Sequence, residues 1–349
     1  MQQVRVLIVD SHTLAMYGRA FCNSFREQGY SDVELFDTND YLDIRTKQGL
    51  QNYILRLQNK LAIGPKVKEI QNALLSKVKE MKPELVFFYS TRLIHPKTVK
   101  TIKSLGCKIF MYNNDDPFAS YFPKYFWRNY VGGLKYADKG FVYRQQNVED
   151  YQKNGCADVE LLRSYYIKTS NFPMENVNIS VPEVVFLGHS EKDERRDYIK
   201  ALMDRNIKVG VMKRSWEDFE PGNPMVVKLA DSHKYYNEML NKAKIALVFL
   251  SKINHDTYTR RCFEIPATKT LMIAPYTEDL ATMYKDGKEV VLYRNKQEFV
   301  EKVQYYLEHE EERKEIADAG YERLMLDGHE VGDRVKQVMQ AYAKMCEGE

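Results

Sequence analysis

The sequence predicts an α/β protein built from two doubly wound domains. The chain has 349 residues, more than one ordinary core takes at roughly 100–200 residues per domain. Short apolar runs alternate with helical patterns along it, and this alternation stops once near the middle and then starts again. A content of 44% hydrophobic and 29% charged residues is that of a folded globular protein.

The first half begins with a continuous apolar run, Val4–Val9, rich in Val, Leu and Ile. Such a run predicts a strand buried on both faces of a parallel sheet. Helical patterns follow at about 13–28, ended by Gly29, and at about 46–81, with a break at Gly64-Pro65. Further strands are predicted at Val33–Phe36, Leu85–Tyr89, Cys107–Tyr112, Lys139–Tyr143 and Val159–Leu162. Strands alternating with helices in this way predict a parallel, doubly wound sheet.

The pattern thins over residues 167–182, which are polar and include two prolines, and this predicts an interdomain linker. Strands then resume at Val184–Leu187, Lys208–Met212, Met225–Leu229, Ile245–Leu250, Leu271–Ala274 and Glu289–Tyr293. From Gln297 the chain is predicted helical, with a break at 327–329. We therefore predict an N-terminal domain of residues 1–175, joined by a C-terminal helix at 330–349, and a C-terminal domain of residues 176–329.

Charge, cysteine spacing and the distribution of apolar residues indicate which partners and which location to expect. The chain has 52 basic and 49 acidic residues and a net charge of +3, so there is no electrostatic case for nucleic acid. Its five cysteines are scattered without C-x-x-C spacing, as expected for free thiols in a reducing compartment. We find neither a signal-peptide pattern nor a run of about 20 apolar residues. The expected location is the cytoplasm.

Ligands of doubly wound sheets bind outside the carboxyl ends of the strands. This rule directs attention to the loops that follow five residues, namely Val9, Tyr112, Leu187, Met212 and Leu250. No G-x-G-x-x-G and no Walker A motif follows a predicted strand, so a dinucleotide fingerprint and a P-loop are excluded.

The most informative stretch runs from Ile245 to Tyr276 and includes two predicted strands. It contains the segment Arg260-Arg261-Cys262-Phe263-Glu264-Ile265-Pro266-Ala267. A ribose has two neighbouring hydroxyls, and one carboxylate such as Glu264 accepts hydrogen bonds from both. A diphosphate suits a helix N-terminus and a guanidinium, here Arg260 or Arg261. The alternative is an ordinary helix carboxylate beside arginines on a solvated face.

This stretch resembles the C-terminal domain of GT-B glycosyltransferases, and in particular the bacterial glycosyltransferase-like spore maturation proteins. The resemblance rests on the Arg260–Ala267 segment, the following apolar strand, and the patterns at 277–280 and 286–290. It extends from Val184 to Arg334, and more weakly to the N-terminal half through Asn114–Pro117. It implies two Rossmann-like domains facing a central cleft.

The activity that the resemblance implies is transfer of a sugar from a nucleotide diphosphate to an acceptor hydroxyl. The donor, a UDP- or GDP-linked sugar, would bind the C-terminal domain as a co-substrate. A carbohydrate, lipid-linked or protein acceptor would bind the N-terminal domain. No cofactor and no essential metal are expected, because GT-B enzymes generally stabilise the leaving diphosphate with protein groups.

Further donor residues follow from the same resemblance. The loop Gly188-His189-Ser190 would lie under the donor phosphates, with Gly188 allowing close backbone approach. Lys213 would contact the base or the phosphates. Asp256, eight residues before Glu264, would contact the sugar, although retaining GT-B enzymes usually have Glu there. The alternatives are a charged, solvent-facing helix after Ser190 and a loop or N-cap role for Asp256.

Candidate catalytic residues lie in the N-terminal half. His12 follows the first strand, where one inverting group of this fold places a general base, and an imidazole titrates near neutral pH. Asp115 or Asp116 could orient His12 or itself deprotonate the acceptor. The alternative is a polar loop and an Asp-Asp-Pro turn. The aromatic residues between 118 and 130 predict either a sugar-stacking acceptor groove or a packed helix.

Two other functions remain open at this point. A sugar-nucleotide epimerase uses the same architecture and would act on the donor without an acceptor. A non-catalytic sugar-nucleotide-binding protein would bind the donor and release nothing from it. The sequence leaves inversion and retention undecided.

Overall fold

A computed structural model describes residues 4–11, 16–42 and 49–347. The chain divides into two compact units, of which unit 1 is Met1–Arg163 with Val331–Glu349, and unit 2 is Ser164–Glu330. Residues 164–175, placed by the sequence in the N-terminal domain, are grouped here with unit 2. The reason is local, because the backbone N–H groups of Phe172 and Met174 donate to the side chains of Asn237 (3.2 Å) and Asn241 (2.6 Å).

Unit 1 contains one parallel sheet of six strands. They are β1 Val6–Asp10, β2 Val33–Asp37, β3 Leu85–Tyr89, β4 Lys108–Asn113, β5 Lys139–Val142 and β6 Val159–Leu161. Their spatial order is β2-β1-β3-β4-β5-β6. Every residue of β1 and β3 is buried, as expected for central strands covered by helices on both faces. The direction of winding reverses between β1 and β3, which makes their carboxyl ends the expected ligand crevice.

The first six helices belong to unit 1. They are α1 Met16–Glu27, α2 Gly49–Leu61, α3 Pro65–Met81, α4 Pro96–Ser104, α5 Arg128–Gly133 and α6 Asn147–Lys153. The predicted break between α2 and α3 is present. Gly64 adopts φ 122°, a conformation that favours glycine, and Pro65 opens α3. The aromatic segment at 117–127 consists of turns and bends and not of a packed helix.

Unit 2 contains a second parallel sheet of six strands. They are β7 Val184–Phe186, β8 Val209–Met212, β9 Val226–Leu229, β10 Ile245–Leu247, β11 Leu271–Pro275 and β12 Val291–Tyr293. Their order, β12-β11-β10-β7-β8-β9, is that of the dinucleotide-binding doubly wound fold. Winding reverses between β7 and β10, so the loops after these two strands border the expected crevice.

The remaining helices are α7 Arg195–Met203, α8 Lys213–Trp216, α9 His233–Lys242, α10 Arg261–Glu264, α11 Glu278–Met283, α12 Lys296–Glu308, α13 Glu310–Leu326 and α14 Val331–Glu347. The sequence pattern did not predict α9 or the break at His309. The charged helix after Ser190 begins only at Arg195. Helix α14 packs on unit 1, where Gln28 Nε2 donates to the carbonyl oxygen of Gly332 at 2.8 Å. None of the helices in the described ranges is long and apolar enough to span a membrane.

Candidate functional site

The crevice of unit 2 brings Arg261 against the loop that follows β7. Arg261 Nε donates to the carbonyl oxygen of Leu187 at 2.9 Å, and the guanidinium carbon lies 5.7 Å from the centre of the Phe186 ring. A Cβ atom on Gly188 would lie 2.5 Å from that ring and 2.9 Å from the Arg261 guanidinium carbon. Residue 188 therefore has to be glycine for the arginine to occupy this position.

His189 and Ser190 continue this loop with different environments. His189 is exposed, but partial desolvation of the imidazole and the nearby Arg261 cation lower its pKa. The Ser190 hydroxyl accepts from Arg196 Nε at 2.9 Å, and the Ser190 backbone N–H donates to Ser215 Oγ at 3.2 Å. The loop is therefore held at Ser190 by Arg196 and Ser215. The His189 imidazole is neutral at neutral pH, because its pKa is lowered.

Arg195 fixes the loop after β7 to the chain after β10. It is buried and donates to both carboxylate oxygens of Asp193 at 2.7 Å. It also donates to the carbonyl oxygens of His189 (2.6 Å) and Leu250 (3.3 Å). This positioning role was not recognised in the sequence, because Arg195 lies within a run of charged residues that looks like a solvated helix.

Glu264 lies in a buried arrangement of charged and hydroxyl groups. Its Oε1 lies 2.7 Å from Arg260 Nε, and its Oε2 accepts from the Tyr236 hydroxyl at 3.0 Å. Burial, and then the Glu264 carboxylate, raise the pKa of Tyr236 well above its ordinary value. The Arg260 guanidinium also lies 5.1 Å from the centre of the Tyr165 ring. Glu264 is only 7% exposed, so a solvated face does not describe this site, and each carboxylate oxygen keeps further acceptor capacity.

The two arginines that the sequence left as alternatives are thus distinguished. Arg260 lies against Glu264, whereas Arg261 lies against the loop at Gly188. Arg261 is therefore the guanidinium at the carboxyl end of β7.

Lys213 and Asp256 lie on two other loops of unit 2. Lys213 opens α8, directly after β8, and is exposed, with no hydrogen-bond or ion-pair partner among the residues that the structure describes. Asp256 follows His255, whose φ is +52°, and its N–H donates to the carbonyl oxygen of Ser251 at 3.0 Å. The chain here forms turns, so Asp256 and Glu264 do not share one helix as a helical acid–acid spacing would require.

Unit 1 has a cavity of about 270 Å³ at its own crevice. It is lined by loop residues after β1 to β4, by part of α2 and by the aromatic segment: Ser11, Asn39, Leu42, Asn59, Ser90, Arg92, Leu93, Asp115, Phe122, Phe126 and Trp127. Asp115 faces this cavity. Asp116 is not among the lining residues; it is buried and accepts from the N–H of Phe118 (3.0 Å) and from Asn147 Nδ2 (3.1 Å). His12 lies outside the described residues.

Aromatic rings and one buried cation form a wall of this cavity. The Arg92 guanidinium lies 4.6 Å from the centre of the Phe126 ring and donates to the Asn59 carbonyl (2.6 Å) and Oδ1 (2.7 Å). Burial lowers the pKa of Arg92 to about 10, so the side chain is still charged at neutral pH. The buried indole Nε1 of Trp127 has no hydrogen-bond partner among the described residues. The cavity is thus lined by aromatic ring faces and by the Arg92 cation.

Within the described ranges, no group of three or more His, Cys, Asp and Glu side chains is placed to hold a metal ion.

The chain is similar to known proteins in part of its sequence and in its fold. Residues 195–340 match the family described as "Glycosyl transferase-like". No curated protein matches the chain by sequence. Among solved structures, sucrose-phosphate synthase from Thermosynechococcus elongatus is similar over 99% of this chain and 100% of its own, with a TM-score of 0.74 and 12% identity.

Two further structures show the same fold. A glycosyltransferase from Rickettsia africae is similar over 100% of both chains, with a TM-score of 0.67 and 11% identity. Anabaena Alr3699/HepE, solved in complex with UDP and glucose, is similar over 98% of this chain and 100% of its own, with a TM-score of 0.65 and 10% identity. The chain has the α/β fold of GT-B glycosyltransferases, with two Rossmann-like domains, as predicted. The family match over residues 195–340 agrees with this fold.

Proposed function

We propose that this chain transfers a sugar from a nucleotide diphosphate sugar, bound by unit 2, to an acceptor hydroxyl bound by unit 1. The observation that carries the proposal is the position of the Arg261 guanidinium against the Gly188 loop at the carboxyl end of β7. A fixed cation beside a close-approach glycine, at the point where winding reverses, suits a diphosphate.

In this proposal each donor group has a matching side chain. Arg261 and the backbone of Gly188–Ser190 contact the diphosphate, and Glu264 accepts from the ribose hydroxyls. Lys213 contacts the base or phosphates and Asp256 the sugar. The bound UDP and glucose of the structurally similar HepE make UDP-glucose the first donor to test. GDP-linked sugars come second.

The proposed reaction needs one leaving group and one base. The acceptor oxygen bonds to the anomeric carbon as the bond from that carbon to the diphosphate oxygen breaks, and the electron pair leaves with the diphosphate. Arg261 stabilises that growing negative charge, so no metal is required. The acceptor proton passes to Asp115 or His12. Asp116 is less suited, because the oxygen Oδ1 already accepts two hydrogen bonds inside the protein.

We also propose that the chain belongs to the spore maturation protein subgroup, which the Arg260–Ala267 segment supports. We propose further that it acts in the cytoplasm and that its acceptor is a carbohydrate, a lipid-linked molecule or a protein.

The test compares two arginines of unit 2 by calorimetry with UDP, GDP and their sugars. Arg261→Gln is expected to weaken nucleotide binding about 10- to 100-fold, because it removes charge-assisted hydrogen bonds to phosphate. Arg205→Gln changes an exposed arginine between α7 and β8, at the opposite edge of the sheet, and should bind as the unmodified protein does. Equal binding by both variants would overturn the donor assignment.

The products formed by the unmodified protein distinguish a transferase from the two alternative functions. A transferase releases nucleotide diphosphate faster when an acceptor is supplied. An epimerase instead yields a new sugar isomer from the donor alone, and a non-catalytic binding protein yields neither product.

A further inference from the structure

Helix α2 presents an apolar face to solvent. None of its residues is buried, and Leu50, Tyr53, Ile54 and Leu57 are between 44% and 74% exposed. Their spacing of three and four residues places them on one side of the helix. Three turns of apolar side chains with this much exposed surface need a physical explanation, because single exposed leucines are ordinary but a continuous stripe is not.

The charged side chains of α2 itself are of one sign. Helix α2 contains Arg56 and Lys60 and no Asp or Glu. Arg128, also exposed, donates from Nη2 to the carbonyl oxygen of Leu61 at 2.6 Å, which adds a third cation at the end of the helix.

Two further exposed apolar side chains lie beyond the C-terminal end of the helix. Ile63 is 54% exposed and Tyr121 is 66% exposed. The Tyr121 ring packs on Phe122 (5.4 Å between ring centres), which stacks on Phe126 (5.1 Å). Phe126 in turn lies under Arg92, which is bonded to Asn59 of α2. We name the α2 surface as Leu50, Tyr53, Ile54, Leu57, Ile63 and Tyr121, with the cations Arg56, Lys60 and Arg128.

We propose that the α2 surface docks unit 1 on an anionic lipid bilayer. An amphipathic helix with apolar side chains on one face and only basic charges beside them lies in the interface of such a bilayer, with its apolar face among the acyl chains. The anionic headgroups then neutralise the cations. A second copy of this chain is the less suitable occupant, because pairing two α2 surfaces would bring like charges together.

Helix α2 lies between this surface and the cavity of unit 1. Asn59, on the side of the helix opposite its apolar face, lines that cavity together with Phe122 and Phe126. Docking would therefore hold the cavity about one helix diameter from the bilayer, within reach of an acceptor carried on a lipid. This consequence for the acceptor rests on the proposed function, whereas docking itself does not.

Co-sedimentation of the full chain with vesicles tests the docking without any donor or acceptor. Vesicles of phosphatidylcholine alone are compared with vesicles of phosphatidylcholine and phosphatidylglycerol in equal parts. We expect binding to the anionic vesicles that weakens as salt is added, because salt screens the cations. The result is independent of transferase activity, so the two proposals can fail separately.

Two pairs of matched variants identify the surface. Leu57→Ser should weaken vesicle binding about tenfold or more, since it removes a leucine that the bilayer would bury. Leu105→Ser changes a leucine that is similarly exposed (47% against 44%) and should not change vesicle binding. Arg56→Gln with Lys60→Gln should weaken binding about 25-fold, at about fivefold per cation. Lys97→Gln with Lys100→Gln, two exposed cations of α4, serves as the control.

Three outcomes would overturn the proposal. They are no binding to anionic vesicles, equal binding to neutral and anionic vesicles, and equal loss in the α2 variants and their controls. Sedimentation velocity tests whether a second copy of the chain occupies the surface instead. If the protein is a dimer that Leu57→Ser dissociates, and it does not bind vesicles, the surface belongs to a second copy of the chain. All the substituted residues are exposed, so unchanged thermal unfolding confirms that the variants are folded.

Discussion

The two units place similar strand ends at their crevices but fill them differently. In unit 2 three charged side chains are held by protein partners: Arg195 by Asp193, Arg261 by the Leu187 carbonyl, and Glu264 by Arg260 and Tyr236. Unit 1 has a cavity of about 270 Å³ whose wall includes the aromatic rings of Phe122, Phe126 and Trp127. A diphosphate needs fixed charges, whereas a neutral, hydroxyl-bearing acceptor needs shape and few polar contacts. The difference matches a division into donor and acceptor sides.

The largest expected effect separates the two neighbouring aspartates of unit 1. Asp115→Asn should lower kcat about 10²- to 10⁴-fold without changing the melting temperature, because a cavity-lining general base is lost. Asp116→Asn keeps an acceptor oxygen for Phe118 and Asn147 and should change kcat less than about tenfold. Steady-state kinetics with a saturating acceptor provides the measurement. A small effect of Asp115→Asn would leave His12 as the base.

The next effect concerns the buried charges of unit 2. Glu264→Gln leaves Arg260 without its carboxylate, and we expect a loss of about 3–5 kcal/mol in the free energy of unfolding, together with loss of donor binding. Tyr236→Phe removes one hydrogen bond and keeps the ion pair, so it should cost about 1 kcal/mol. Urea unfolding monitors both variants. Similar stability in the two would mean that the ion pair is not desolvated as the structure indicates.

A smaller effect tests how closely Arg261 and the loop approach each other. Gly188→Ala forces the Phe186 ring or the Arg261 guanidinium to move, and should weaken donor binding about tenfold by displacing a positioned group. Gly222→Ala is the control, since Gly222 has φ +81° and open space around it. It should lower stability by about 1 kcal/mol and leave calorimetric donor binding unchanged. The prediction fails if the two variants bind donor alike.

The smallest effect is expected at His189. Its lowered pKa keeps the imidazole neutral at pH 7, so it adds no charge to a diphosphate site. His189→Gln should therefore change donor binding less than about threefold at neutral pH. The folded pKa lies below the ordinary value of 6.5, so the native state binds fewer protons and loses stability as the pH falls below that value. Thermal unfolding across that range should show a steeper loss in the unmodified protein than in the variant.

Much of the fold followed from local signals in the sequence. The apolar runs located the strands of both sheets, and Gly64-Pro65 marked the end of α2 and the start of α3. Helix α9 was not predicted, although Tyr236, Met239 and Leu240 have the spacing of one helix face. The aromatic segment was ambiguous, since rings that pack in turns and rings that pack on a helix have the same composition.

The candidate site was only partly predictable. The Arg260–Ala267 segment is where the sequence predicts the donor site, but nothing in that segment distinguishes Arg260 from Arg261. Their separation depends on Phe186, Gly188 and Tyr236, which lie far away in the chain and meet the arginines only in the folded unit. The distinction between Asp115 and Asp116 likewise depends on Asn147, 31 residues beyond Asp116.

The sequence by itself thus determined the class of fold and indicated one segment, Arg260–Ala267, whose residue types suit a diphosphate and a ribose. These are local properties, because periodicity, turn residues and short motifs act over a few neighbouring positions. Only the tertiary structure decided which arginine meets the Gly188 loop, which aspartate faces the cavity, and that the apolar face of α2 remains exposed. Those outcomes depend on the order of the strands and on contacts between distant parts of the chain, which no local pattern encodes.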